Sequence, residues 1–307
     1  MIFKNNKIYN ETIERSRYFR DVHALPLTDE FDYLGWLKNF NTDKDIELAC
    51  RILDLFSYYP KKMVDQMLIT SVGRAGYELS KYFHDWKHSD FKTRCFYSFI
   101  PGENPNLSDS GNLFIRKLRD VLDIPESRFI DYREIHQLLE RSSIPLPVIF
   151  VDDFVGSGAQ CYKAWCQNRG GSNKLTLQEI SIRFKHKFVY TPLIVNYIGY
   201  NRISNYCQGL KISSAHIIGE EYNLFNPNCI CWEKDAKLYN SGTELILRKS
   251  KELNIPSTNG RKVNDEKGFG MQGLALAFEH GAPDAIPAFF YWSSDNWTPL
   301  IKKVYVR

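Results

Sequence analysis

The sequence predicts an α/β protein in which helices flank a parallel β-sheet, and three observations support this fold class. Short apolar runs alternate with amphipathic segments along much of the chain, as in strands joined by crossover helices. The clearest run, Val148–Val151, follows Pro145 and Pro147 and ends at two carboxylates, which is typical of a buried strand. With 43% apolar residues among 307 positions, the chain can also form a large core.

The other elements follow from residue spacing. Residues 1 to 30 form a mixed polar arm that Pro26 interrupts, and apolar residues at three- and four-residue intervals predict two helices between Phe31 and Pro60. Further strands are predicted at Met67–Val72, Cys95–Ile100, Phe188–Tyr197 and Leu210–Ile218, and further helices at Tyr77–Trp86, Leu113–Leu122, Tyr132–Glu140, Ala159–Gln167 and Asp235–Leu253. We expect an N-terminal arm and helical extension over residues 1–62, an α/β core over 63–220 and a C-terminal α+β region over 221–307.

The amino-acid composition narrows the classes of partner and the cellular compartment that we expect. The 40 basic and 36 acidic residues give a net charge of +4, so the chain lacks the strong positive field of a dedicated nucleic-acid binder, and a small anionic ligand fits better. No apolar run resembles a signal peptide or reaches the roughly 18 residues of a membrane span, which predicts a cytoplasmic protein without a membrane partner. Seven scattered cysteines are typical of a reducing compartment, and Cys229 and Cys231 are interpreted as buried thiols rather than zinc ligands.

The segment Val148–Gln160, with the sequence VIFVDDFVGSGAQ, is the main candidate site. A buried strand brings Asp152 and Asp153 to the carboxyl edge of a sheet, where ligands of open α/β sheets bind. A Gly-Ser-Gly turn then opens into a helix, so backbone N–H groups can converge on a monophosphate. The alternative is an ordinary strand-to-helix turn in which the aspartates cap the helix. Residues of the expected phosphate cradle are Val155, Gly156, Ser157, Gly158, Ala159 and Gln160.

A second candidate lies upstream, between the predicted strand Met67–Val72 and the predicted helix Tyr77–Trp86. The turn joining them would comprise Ser71, Val72, Gly73, Arg74, Ala75 and Gly76. Its glycines would let the backbone approach an oxyanion, and Arg74 could offer a charged fork to pyrophosphate. The alternative is a plain connection with a solvated arginine.

The two segments together resemble the ligand-binding motifs of type I phosphoribosyltransferases. The resemblance implies that Asp152 and Asp153 contact ribose hydroxyls with Mg²⁺ nearby, that Val155–Gln160 holds the 5′-phosphate, and that Ser71–Gly76 binds pyrophosphate. It also implies that the loop Pro101–Asn112 is a mobile lid. Two departures put catalysis in doubt: the loop has no lysine or arginine, and Gly156 stands where hypoxanthine-type members carry a carboxylate base.

The layout of the whole chain resembles the PRTase-CE family of phosphoribosyltransferase-like proteins, which are predicted to act in bacterial conflict and phage-defence loci. The features that match are the helical stretch around Trp36–Phe40, the SVGRAG segment, the PGE-then-SDSG loop, VDDFVGSG, and the tail GFGMQGLALAFEHGAPDAIPAFFYW. The resemblance implies a type I phosphoribosyltransferase-like sheet with a C-terminal hood.

The tail and one acidic pair offer weaker candidates. Phe269, His280 or Trp292 could stack on a base, although aromatic residues among prolines more often complete a core. Gly268, Gly270 and Gly273 could let the backbone approach a ligand. The pair Glu220 and Glu221 follows a predicted strand and could bind a metal or ligand.

Two functions remain open. One is an enzyme that transfers phosphoribose from phosphoribosyl pyrophosphate, using Mg²⁺ with Asp152 and Asp153 as the catalytic pair. The other is an inactive sensor that binds a nucleotide or phosphoribosyl ligand and regulates a partner protein from a defence operon. A homodimer is also considered, and the sequence does not decide between enzyme and sensor.

Overall fold

The computed structural model describes residues 6–26, 30–87, 89–102 and 110–302. The chain forms two compact units, one comprising Met1–Met63 with Gly219–Arg307 and the other comprising Val64–Ile218. The helices are α1 (Lys7–Asp21), α2 (Tyr33–Leu37), α3 (Asp43–Leu55), α4 (Lys61–Ser80), α5 (Asp90–Thr93), α6 (Ser110–Leu122), α7 (Ile135–Arg141), α8 (Ala159–Tyr162), α9 (Leu177–Phe184), α10 (Tyr197–Tyr206) and α11 (Ala236–Glu252). The strands are β1 (Ser57–Tyr59), β2 (Phe96–Phe99), β3 (Pro147–Val155), β4 (Arg169–Gly170), β5 (Leu175–Thr176), β6 (Lys187–Asn196), β7 (Leu210–Ile212), β8 (His216–Ile218) and β9 (Leu276–Phe278).

The unit Val64–Ile218 is built on a parallel sheet in the order β2-β3-β6-β7, and β8 also pairs with β6. The central strands β3 and β6 are buried along most of their length because helices cover both faces of such a sheet. One face packs the side chains of Val148, Phe150 and Phe188 against Trp165. The predicted fold class, a mostly parallel sheet flanked by helices, is confirmed.

The other unit has an aromatic core. Trp36 of α2 packs against Phe289 and Phe290 with ring centroids 5.7 and 6.0 Å apart, and Phe56 meets Phe290 at 5.0 Å. Strands β1 and β9 pair in parallel, so the beginning and the end of the chain fold together. Helix α3 begins at a side-chain cap, where Thr42 accepts a hydrogen bond from the backbone N–H of Asp45.

Most sequence-predicted elements are present with small changes in their ends. The two helices between Phe31 and Pro60 are α2 and α3, and the predicted helices near residues 113–122, 132–140, 159–167 and 235–253 are all found. The N-terminal arm differs from the prediction because it contains the 15-residue helix α1. Only Thr12, Ile13 and Ser16 are buried in it, so its sequence carries a weak apolar stripe.

The strand predicted at Met67–Val72 is wrong, because these residues lie inside the 20-residue helix α4. The buried residues of α4 are Val64, Met67, Leu68, Ser71, Val72, Ala75, Gly76 and Leu79, which recur at helical spacing. Across the described ranges, no helix is both long enough and apolar enough to cross a lipid bilayer.

Candidate functional site

Strand β3 carries the two candidate carboxylates. It extends four residues beyond the predicted apolar run and ends at Val155, so both aspartates are part of the strand. Asp152 lies opposite Pro192 of β6, and Val155 lies opposite Val195 near the carboxyl end of both strands. The acidic pair therefore sits just inside the edge of the sheet where ligands of this fold class bind.

Asp152 points into the protein. Only 7% of the residue is exposed, and its Oδ2 accepts a 2.6 Å hydrogen bond from the Tyr190 hydroxyl. The Asp153 backbone N–H donates to Oδ1 at 3.0 Å. Burial, and next the charge of Asp153, raise the pKa of Asp152 well above its ordinary value. Asp152 is thus held in a setting that favours its neutral form.

Asp153 is the more accessible carboxylate of the pair. It is half-buried, and its Oδ1 accepts a 2.8 Å hydrogen bond from the Phe154 backbone N–H. A hydrogen bond also joins the side chains of Asp152 and Asp153, and this bond contributes to the raised pKa of Asp152. The pair can therefore share one proton and present one negative charge, which differs from the expectation of two carboxylates facing a sugar.

The loop after β3 packs directly on the backbone of α10. A Cβ built on Gly158 would come within 2.9 Å of the Gly199 carbonyl oxygen, and a Cβ built on Gly199 would come within 2.5 Å of the Gly156 carbonyl oxygen. Gly158 also has φ of 70°, which L side chains rarely adopt. Both glycines are thus required for this close approach.

The loop leaves donor groups available. Within the described residues, neither Ser157 nor Gly158 donates its backbone N–H to a partner. The Ser157 hydroxyl accepts a long hydrogen bond of 3.4 Å from the Ala159 N–H, and the Gln160 side chain donates to the Ile100 carbonyl at 3.0 Å. Helix α8 ends at Tyr162 and continues as a π-helical turn to Gln167. The structure therefore brings the acidic pair and the predicted phosphate cradle together in one segment.

Residues 33–303 match the family model of PRTase-CE. The chain belongs to the PRTase-CE family. It is accordingly a phosphoribosyltransferase-like protein, as the sequence motifs indicated. A search of curated proteins found no match.

In this PRTase-CE protein, the segment Ser71–Gly76 is helical, so the predicted strand and turn are wrong here. Of the predicted helix Tyr77–Trp86, residues 77–80 are helical as the last turn of α4. The backbone groups of the segment serve the hydrogen bonds of α4 and cannot converge on an oxyanion as a turn would. The Arg74 guanidinium donates to the Ser214 carbonyl at 3.1 Å, and the Ser71 hydroxyl donates to the Leu68 carbonyl at 3.2 Å. A pyrophosphate turn is therefore not formed by these residues.

The other residues that the sequence suggested for a site lie in the expected lid, in the tail and at Cys229 and Cys231. Of the expected lid, residues 103–109 lie outside the described residues. In the tail, Gly268 has φ of 75° and a Cβ there would come within 2.3 Å of the Ala285 carbonyl oxygen, so this glycine serves the loop's own packing. The His280 ring stacks on Phe278 with centroids 5.0 Å apart. Cys229 and Cys231 are buried free thiols.

Over residues 6–26, 30–87, 89–102 and 110–302, no cluster of three or more histidine, cysteine, aspartate or glutamate side chains could hold a metal ion. The acidic pair offers two carboxyl groups. Mg²⁺ typically takes one or two protein carboxylates and completes its shell with waters and substrate phosphates, so the pair has the donor type this ion requires.

Sequence reasoning missed two residues of the site. Tyr190 was assigned only to an apolar strand, yet its hydroxyl holds Asp152. A tyrosine within a buried strand usually needs a hydrogen-bond partner, which is a usable signal. Gly199 of α10 packs against the backbone of the loop. A glycine in the first turn of a helix is an unfavourable choice for the helix, and this is the signal in the sequence that could have identified it.

Proposed function

We propose that this protein binds the ribose 5-phosphate part of phosphoribosyl pyrophosphate or of a nucleotide, with Mg²⁺, at Asp153 and the loop Val155–Gln160. One observation carries the proposal: the glycine-lined loop rests on Gly199 and leaves backbone donors of Ser157 and Gly158 available beside an acidic pair. Membership in the PRTase-CE family supports the same ligand class.

The chemistry of the pair assigns different roles to its members. Asp153 would accept hydrogen bonds from the ribose hydroxyls, since its carboxylate is the more accessible one. Asp152, held by Tyr190, would position Asp153 and reach the ligand only after losing its proton. Mg²⁺, when bound, would offset the repulsion between these carboxylates and the phosphates of the ligand.

The ribose role of Asp153 can be tested by substitution. Isothermal titration calorimetry with phosphoribosyl pyrophosphate should show tight binding in the presence of Mg²⁺ and weaker binding without it. Asp153→Asn should lower the affinity by roughly 10- to 100-fold, because hydrogen bonds to a charged group contribute about 1.5–3 kcal/mol.

A matched control is Asp123→Asn, because Asp123 is an exposed aspartate of the same unit with φ of 55°, a conformation that asparagine tolerates. This control should bind as the wild type does. Equal affinity of Asp153→Asn and wild type, with both proteins folded by circular dichroism, would contradict the ribose role.

A non-catalytic sensor is the second candidate, and the helical conformation of Ser71–Gly76 favours it. A transferase must bind the departing pyrophosphate, and the segment expected to do so has its backbone engaged in α4. For a sensor we expect phosphoribosyl pyrophosphate to bind without release of pyrophosphate in the presence of adenine, guanine, hypoxanthine or uracil. Steady pyrophosphate release that Asp153→Asn abolishes would instead establish the enzyme.

We also propose a biological role, partner proteins and a domain arrangement for this chain. The family resemblance supports a role in nucleotide metabolism or sensing within a bacterial anti-phage defence system, with partner proteins from the same operon. We further propose that residues 1–62 form a helical extension, residues 63–220 the α/β core and residues 221–307 a hood-like α+β region, and that the protein acts in the cytoplasm. Co-purification of the tagged protein with products of neighbouring genes would test the partnership.

A further inference from the structure

Three cysteines of the unit Val64–Ile218 lie together and have no part in the proposed function. Cys161 belongs to α8, Cys166 to the π-helical turn that continues it, and Cys207 directly follows α10. The side chains of Cys161 and Cys166 both form hydrogen bonds with Cys207, and all three are free thiols. We call these three residues the thiol cluster.

Hydrogen bonds on both sides of Cys207 hold its backbone beside the π-helical turn. The Cys166 Sγ lies 3.4 Å from the Tyr206 carbonyl oxygen, to which it donates. The indole N–H of the preceding residue, Trp165, donates to the Gln208 carbonyl at 3.0 Å. Two consecutive side chains of the turn thus bind the residues just before and just after Cys207. This places Cys207 next to Cys166, although the two are far apart in sequence.

The members of the thiol cluster differ in exposure. Cys161 and Cys207 are each 2% exposed, whereas Cys166 is partly exposed. The Gln178 side-chain oxygen lies 3.5 Å from the Cys166 Sγ and also accepts from the Gln208 N–H at 2.9 Å, so it ties the turn to the segment after α10. A small reagent in solvent can therefore meet Cys166 first, and Cys207 stands behind it.

The thiol cluster favours the loss of one proton. The hydrogen bond from Cys161, and a further one from Cys166, lower the pKa of Cys207 against the opposing effect of burial. Burial, and next the charge of Cys207, raise the pKa of Cys166 to about 12. The thiols thus hold one negative charge in common, and a proton passed from Cys166 to Cys207 puts that charge on the accessible sulfur. The thiolate is the form that reacts with oxidants.

We propose that Cys166 and Cys207 are a redox-active pair that hydrogen peroxide oxidises to a disulfide. The Cys166 thiolate attacks one peroxide oxygen and the O–O bond breaks, which gives a sulfenic acid and a hydroxide that takes up the proton released by the cluster. The Cys207 sulfur then attacks the Cys166 sulfur. The S–S bond forms as the S–O bond breaks, and the leaving hydroxide takes the Cys207 proton. The pair loses two electrons, and the peroxide becomes two water molecules.

This modification site goes beyond the proposed function and does not depend on it, because the reaction uses neither the acidic pair nor a ligand. An accessible cysteine beside a resolving cysteine is an arrangement typical of reversible thiol sensors. In a reducing compartment such a disulfide is transient, since dithiols reverse it by thiol–disulfide exchange. The disulfide would join the turn that continues α8 to the end of α10.

Peptide mapping tests the pair directly. The reduced full-length protein is treated with hydrogen peroxide, alkylated in denaturant and digested with trypsin, which separates the three cysteines into peptides 142–163, 164–169 and 203–211. Peptides 164–169 and 203–211 should be recovered joined by a disulfide. The oxidised protein should also have two free thiols fewer than the seven of the reduced chain, and dithiothreitol should restore them.

Variants identify the members of the pair. Cys166→Ser and Cys207→Ala should each abolish the disulfide, whereas Cys161→Ala retains both members and should still form it. Cys95→Ala is the matched control, because Cys95 is a buried free thiol of the same unit outside the cluster, and it should be oxidised as the wild type is. Thermal melting checks folding. Cys166→Ser changes a partly exposed residue, so it decides the question even if Cys207→Ala does not fold.

Three results would overturn the proposal: seven free thiols remaining at a peroxide concentration that oxidises glutathione, a disulfide that joins Cys207 to Cys161 instead, or a disulfide between two copies of the chain, seen as a dimer on a non-reducing gel. Oxidation of Cys166 to a sulfinic acid while Cys207 stays free would show that Cys207 does not resolve the sulfenic acid, which also overturns it.

Discussion

His186 is a buried side chain whose ring joins two separate backbone segments by hydrogen bonds. It is 1% exposed, its Nδ1 accepts from the Leu146 N–H at 2.9 Å, and its Nε2 lies 2.9 Å from the Leu139 carbonyl oxygen. The neutral ring with its hydrogen on Nε2 satisfies both backbone groups, and these lie on either side of the turn that leads into β3. A charged ring would have no acceptor at Nδ1.

Stability should depend on the protonation of His186. Burial lowers the pKa of His186, so the folded protein binds fewer protons than the unfolded chain between the two pKa values. The contribution of neutral His186 is complete above the ordinary pKa of about 6.5 and declines as the pH falls below it. His186→Leu should therefore cost about 2–3 kcal/mol at pH 7.5, because two buried backbone groups lose their partner, and less at pH 5.

Urea unfolding followed by circular dichroism at the two pH values measures this difference. His84→Gln provides the control, since His84 is exposed and its replacement should have the same small effect at both pH values. A cost of His186→Leu that does not change with pH would contradict the assignment.

Residue-level chemistry of the candidate site was only partly predictable. Asp152, Asp153 and the loop Val155–Gln160 were selected because a strand, an acidic pair and glycines follow one another locally. The burial of Asp152 was not predicted, because it depends on Tyr190, which is 38 residues away. Contacts of this kind depend on strand register, which single-sequence patterns do not determine.

At the scale of elements, α4 is where the short sequence pattern was misleading. The run MLITSV has the apolar, β-branched character of a strand, and two glycines follow it. Over the whole of Lys61–Ser80, however, the buried positions recur every three or four residues. A window of the length of a helix would have predicted the structure, whereas a six-residue window could not.

Gly73→Ala tests this element directly. A Cβ at Gly73 would meet no atom within 4 Å, and alanine is the better helix former. The substitution should stabilise the protein by roughly 0.5–1 kcal/mol and should not weaken binding of phosphoribosyl pyrophosphate. Thermal unfolding and calorimetry provide the two measurements.

Gly76→Ala is the matched comparison, because a Cβ there would come within 2.9 Å of the Phe91 Cβ, and it should be destabilising relative to Gly73→Ala. If Gly73→Ala instead destabilised the fold and abolished binding, a functional turn at this position would be supported.

The sequence predicted best those elements that have a long periodic or apolar pattern or a clear capping residue. Helix α11 has a periodic sequence and an Asp235 cap that accepts from two backbone N–H groups, and β6 is an almost continuous apolar run. The short strands β1 and β9 were not predicted. Each has three residues, and they form only because distant parts of the chain meet.

At the scale of the whole molecule, one of the two compact units is assembled from both ends of the chain. Its aromatic core joins Trp36 and Phe56 to Phe289 and Phe290, and the Asp32 N–H donates to the Leu300 carbonyl at 2.9 Å. Of the tail residues that the sequence suggested for stacking on a base, Phe269 is 39% exposed and His280 and Trp292 are partly exposed, so the aromatic core of this unit is formed by other residues of the tail.

Phe290→Ala tests whether the N-terminal helices and the tail share one core. Phe290 is fully buried, so its loss should destabilise the protein by about 3–5 kcal/mol and should speed trypsin cleavage within α3 as well as in the tail. Phe269→Ala, at a residue that is 39% exposed, should have little effect on either measurement. Protection of α3 in Phe290→Ala would indicate that the N-terminal helices are stable without the tail.

This discontinuous unit has a consequence for synthesis on the ribosome. The unit Val64–Ile218 is contiguous, whereas Trp36 and Phe56 pack against Phe289 and Phe290, which are translated much later. At about 5–20 residues per second the delay is on the order of tens of seconds. During that time the nascent helices expose an apolar face, and we expect them to need a chaperone until Phe289 and Phe290 have been translated.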